Sequence, residues 1–101
     1  MSKYKKMVRG RCEIHVYPKE DGYVLEIPIV RVVRQGGFPQ RVQEYLLDRN
    51  IKHEGPGTFL VRDGIIWYRS EAKAPHSLDE TASRSVEVVE RIGPKILNLL
   101  K

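Results

Sequence analysis

The chain has 101 residues, enough for one hydrophobic core and too few for two. Its 41% hydrophobic and 31% charged content is that of an ordinary globule, and its longest apolar runs, Ile27–Val30 and Ile65–Tyr68, are strand-sized. A membrane-spanning helix needs about 20 apolar residues, so these runs exclude one.

The net charge of +5 is carried entirely by residues 1–53, and the remainder is neutral. The opening "MSKYKKMVRGR" holds five basic side chains and no acid. It reads as a basic flexible arm over residues 1–7 of a single domain spanning 1–101, and it lacks the apolar run of a secretory signal, which makes the cytoplasm the expected compartment. From Val8 to Val16 apolar residues occupy even positions, the period-2 pattern of one half-buried strand. Cys12 is the single cysteine and falls on the apolar side, so it reads as buried and inert, with no disulfide and no thiolate cage.

"PKEDG" at 18–22 is a turn, with Asp21-Gly22 offering a positive φ, and Tyr23–Val33 is a second, β-branched strand. Pro28 has no N–H to give a ladder, which places it at a bulge or against an unpaired edge. "PQRVQEYLLDR" at 39–49 spaces Val42, Tyr45 and Leu46 along one helical stripe, with Asn50 as a left-handed stop.

The segment "TFLVRDGIIWYRSE" at 58–71 is the clearest hairpin. A two-residue Asp63-Gly64 turn pairs Leu60 with Trp67 and Phe59 with Tyr68, putting large apolar groups on both faces. Two helices cover only one face of so small a sheet, which leaves Leu60 and Trp67 available to another chain or to a sheet folded over itself. "SLDE" at 77–80 reads as a capping box opening a helix whose apolar stripe is Leu78, Ala82, Val86 and Val89. Gly93-Pro94 kinks or restarts it before Ile96, Leu97 and Leu100.

Nothing in this order forms a catalytic kit. His15, His53 and His76 are far apart and lack a second ligand at helical spacing, so neither a metal site nor a cofactor is expected. "GPGT" at 55–58 lacks the Lys-Ser/Thr continuation of a phosphate loop and is a turn.

The elements add up to an α+β fold: an antiparallel twisted sheet in β-β-α-β-β-α order, with the helices packed on one face. With Leu46-Leu47 and Asn50 closing the first helix, Asp63-Gly64 in the hairpin and Ser77-Leu78-Asp79-Glu80 opening the last helix, the chain from Glu13 to Leu100 resembles the type III secretion chaperone-like superfamily. That superfamily includes the Tir chaperone family and YbjN-like bacterial proteins. The resemblance implies a non-enzymatic, usually dimeric protein that holds another polypeptide on apolar patches of its sheet and helices. The positions it points to here are Val24, Leu25, Ile27 and Ile29, with Leu60 and Trp67 beside them.

The family begins with a helix and its secretion chaperones are acidic. This chain reaches its first strand within a few residues and has a pI near 9.5, which favours a general binding or regulatory role over a secreted-effector client. The expected partners are a second copy and a client chain held by Leu25, Ile27, Ile29, Leu60 and Trp67. The alternative is a nucleic acid held by Lys3, Lys5, Lys6, Arg9 and Arg11.

Overall fold

The structure, a computed structural model, describes residues 5–32, 36–73 and 77–101. Five strands, β1 (Lys5–Arg9), β2 (Cys12–Lys19), β3 (Gly22–Arg31), β4 (Gly57–Arg62) and β5 (Ile65–Ala72), form one antiparallel sheet in the order β1-β2-β3-β5-β4. Helix α1 (Gln40–Lys52) connects β3 to β4, and α2 (Leu78–Leu99) follows β5. The class is the α+β class expected, with one strand more: the order is β-β-β-α-β-β-α.

The additional strand comes from Gly10. At φ +57 it reverses the chain, so that Arg9 pairs with Cys12 and Lys5 with Val16. The single strand expected over 8–16 is therefore a hairpin, and residues 5–7 of the expected arm are strand residues. The reversal also parts Val8, which is 76% exposed, from Cys12, Ile14 and Val16, which are buried against the helices. The next turn closes on Glu20-Asp21, between paired Lys19 and Gly22.

Gly22 has no positive φ and serves a different purpose from the one expected of it. A Cβ there would stand 1.9 Å from the carbonyl oxygen of Ala72, so glycine lets β3 run close beside the end of β5. Pro28 sits where its missing N–H demands. The β3–β5 register shifts between Pro28 and Val30, and the β2–β3 ladder ends at His15↔Glu26.

Helix α1 runs through Asn50 to Lys52, and His53, at φ 54, is the left-handed stop. Asn50 is thereby free to use its side chain elsewhere. Helix α2 is continuous through Pro94. Glu90, whose carbonyl loses its donor, and Pro94 both lie on the exposed side, while Val89, Ile92 and Ile96 hold the two halves against the sheet. Ser77 is the N-cap residue at helical φ/ψ of −94 and −1 and makes no side-chain cap bond, so the expected capping box does not form. Asp79 and Glu80 still place negative charge at the positive end of the helix dipole.

The core lies between the helices and one sheet face, with Ile14, Val16, Leu25, Ile27, Ile66 and Tyr68 at or near zero exposure beneath Val42, Ala82, Ile92 and Ile96. Three of its polar side chains, Ser70, Ser85 and Tyr68, are paired. Ser70 and Ser85 share a 2.8 Å hydrogen bond, and the Tyr68 hydroxyl accepts from Gly57 N–H at 2.7 Å and donates to the Glu54 carbonyl at 3.2 Å. Arg41 of α1 donates to the Leu99 carbonyl at 2.6 Å, a cation placed at the negative end of α2.

Two substitutions test this account. Gly22→Ala forces a backbone shift and is expected to lower stability by about 1–3 kcal/mol. Tyr68→Phe leaves the Gly57 N–H without its partner, at a cost of about 1–3 kcal/mol. Chemical denaturation measures both, and wild-type midpoints would show the contacts to be dispensable.

Candidate binding face

Alternation along the strands fixes the second face of the sheet. Register places Val8, Glu13, His15 and Tyr17, then Val24, Glu26 and Pro28, then Trp67, Arg69 and Glu71, and finally Thr58, Leu60 and Arg62 on the side away from the core. Both helices pack on the opposite side, so no element of the described residues covers this face.

At its centre is a carboxylate. Glu26 is 5% exposed although it lies on the uncovered side, because side chains of the same face close over it. Arg62 grips it with two nitrogens, at 3.0 and 2.8 Å, and Arg69 Nε lies 4.0 Å away. A bidentate guanidinium matches a carboxylate in geometry as well as charge. These hydrogen bonds, followed by the Arg62 charge, outweigh desolvation and hold the Glu26 carboxyl below its ordinary value of 4.5.

Arg62 in turn lies over the Trp67 ring, 4.9 Å from its centroid, and His15 meets that ring edge-on at 5.3 Å. Trp67 Nε1–H points at the Arg62 carbonyl, 3.4 Å away. Beside the pair is a shallow depression of about 380 Å³, lined by Tyr17, Val24, Glu26, Arg62 and Arg69.

The expected binding residues separate onto two faces. Leu25 and Ile27 are 0% and 1% exposed beneath the helices, and Ile29 packs on that core beside Gly93, so these three build the interior instead of a surface. Leu60 and Trp67 do share the open face. Trp67 is only 8% exposed, because Arg62 and His15 cover it, and Leu60 is half-buried. Of the expected nucleic-acid residues, Lys3 lies outside the described residues. Lys6 pairs with Glu13 at 3.3 Å, and Arg9 bonds to Asp79 and Ser83 of α2; Lys5 and Arg11 are exposed. Cys12 is buried, and burial followed by the Glu90 charge raises its thiol pKa, which disfavours the thiolate.

Sequence reasoning missed Glu26, Arg62 and Arg69. The signal was present: the Asp63-Gly64 turn that pairs Leu60 with Trp67 also sets Arg62 and Arg69 on their face. Among the described residues no group of three His, Cys, Asp or Glu side chains stands together to hold a metal ion.

No protein-family model and no curated protein matches the sequence. The fold does match a solved one, a chain of the heterodimeric ExoU-SpcU complex from the type III secretion system of Pseudomonas aeruginosa. The TM-score is 0.68 with 18% sequence identity, over 99% of this chain and 83% of that one. The likeness establishes a shared fold.

Arg62→Ala strands the Glu26 carboxylate and is expected to lower stability by about 2 kcal/mol at neutral pH. The sign of the pH dependence follows from the depressed value: between the folded and ordinary pKa the unfolded chain binds more protons. The contribution of Glu26 is therefore complete above its ordinary value of 4.5 and is lost as pH falls through the lower folded value. The Arg62→Ala deficit is expected to shrink over that acidic range in urea titrations. A deficit independent of pH would assign the Arg62 contribution to its stacking on Trp67.

Proposed function

We propose that this chain is a non-enzymatic, chaperone-like protein-binding module that holds another polypeptide across its open sheet face. One observation carries the reading: the helices cover one face of the sheet and leave the other, where Leu60 pairs with Trp67, Arg62 lies over the Trp67 ring, and Tyr17, Glu26, Arg62 and Arg69 line a depression beside them. Tyrosine, tryptophan and arginine are the residues that dominate protein interfaces, because each joins large contact area to a polar tip. The Glu26–Arg62–Trp67 stack holds its members in place before binding, which reduces the entropy lost on association.

The shared fold supports a protein partner, since the solved neighbour comes from a heterodimeric secretion complex. Membership of the type III secretion chaperone-like superfamily, a cytoplasmic location and a homodimeric state are part of the same proposal. Within this reading Leu60 and Trp67 serve the client, and Leu25, Ile27 and Ile29 serve by shaping the sheet from behind. The nucleic-acid alternative has less support, because Lys6 and Arg9 spend their charge on Glu13 and Asp79.

A photo-crosslinking residue installed at Leu60 or Tyr17, and separately at exposed Glu87 on α2, tests the face in cells of the source organism. Discrete polypeptide adducts are expected from the first two positions and not from the third. Adducts at Glu87 alone, or at none of the three, would refute the open face as the client site. Light scattering of the purified chain at low and high salt is expected to give a dimer free of 260 nm-absorbing material. Nucleic acid that leaves at high salt would favour the basic strand instead.

A further inference from the structure

Strand β4 is an edge of the sheet, and side chains take up the outward backbone groups of Phe59 and the N–H of Gly57. Asn50, in the last turn of α1, accepts from the Phe59 N–H through Oδ1 at 2.7 Å and donates to the Phe59 carbonyl through Nδ2 at 2.9 Å. A carboxamide presents one donor and one acceptor in the geometry of a peptide group, so Asn50 pairs with Phe59 as a residue of a neighbouring strand would. Alternation turns Gly57 and Val61 to the same side as Phe59. The Gly57 N–H is already occupied by the Tyr68 hydroxyl at 2.7 Å.

The strand so closed is one that invites pairing. "GTFLVR" has a single charge, at its last residue, and its Thr-Phe-Leu-Val centre is aromatic and β-branched. Val61 is 48% exposed beside it. An antiparallel copy of the same strand centred on Phe59 would set Gly57 against Val61 and Arg62 against Pro56, with no like charges opposed.

We propose that the Asn50 carboxamide is the lock on this edge: it fills the hydrogen-bonding site at Phe59 and prevents β4 from pairing with β4 of a second copy. The opposite edge, β1, carries Lys5, Lys6 and Arg9, charged residues that discourage edge pairing.

The test is the mass of variants across a dilution series by sedimentation, with circular dichroism to verify folding. Asn50→Ala is expected to add a species of at least twice the wild-type mass, growing with concentration. Adding Val61→Pro, which removes an outward N–H without touching the β4–β5 ladder, is expected to restore the wild-type mass. If Asn50→Ala fails to fold, Asn50→Asp provides the same readout, since it keeps the acceptor for Phe59 N–H and loses only the donor. A folded Asn50 variant at wild-type mass throughout would overturn the proposal, and so would a larger species that Val61→Pro leaves unchanged.

Discussion

The antiparallel pairing of β3 with β5 is the joint on which the rest of the molecule depends. It unites a local meander, β1 to β3, with a local hairpin, β4 and β5, across a stretch of chain that includes all of α1. Ordering that stretch costs conformational entropy, and the return comes on both faces at once. Toward the helices, Leu25 and Ile27 meet Ser70 and Tyr68 beneath α2; away from them, Glu26 meets Arg69 and lies within reach of Arg62. A slip of one residue would put Glu26 into the core and Ile27 into water, so the buried carboxylate and the apolar interior enforce the same register.

Side-chain polar groups then tie the periphery to this joint. The Tyr68 hydroxyl reaches from β5 to the loop ahead of β4, and Glu54 in that loop bonds both Arg49 of α1 and Arg91 of α2. Arg41 ties α1 to the end of α2. In a domain this small such links matter, because the apolar area available for burial is modest. They place α1 against the β4 edge, and with it the reach of Asn50.

Much of this was legible in the chain itself. The Asp63-Gly64 turn announces its register because both residues accept positive φ, at 56 and 74, and a two-residue loop allows one pairing. Pro28 announced its bulge for an equally local reason. The Gly10 turn escaped notice because Val8 continues the even-numbered apolar pattern along the sequence, although the two-residue reversal turns it to the face opposite Cys12, Ile14 and Val16. The binding residues were harder for a related reason. "YVLEIPIV" is apolar at nearly every position, so nothing local says which residues the helices will cover; tertiary packing decides that Leu25 and Ile27 are interior and that Glu26 closes the other side. The stop at His53 in place of Asn50 is similar: Asn50 stays helical because its amide finds partners on β4, an option invisible until helix and strand are side by side.

The position of Trp67 has an optical consequence. It is the only tryptophan in the chain, and it lies at the centre of the open face between the guanidinium of Arg62 and the imidazole of His15. Indole fluorescence excited at its red edge therefore reports from this one place. A polypeptide that displaces Arg62 or shields the ring from water alters the emission, whereas one that docks on the outer side of α2 leaves it as it was. The molecule carries a label-free gauge of which of its two sides is occupied.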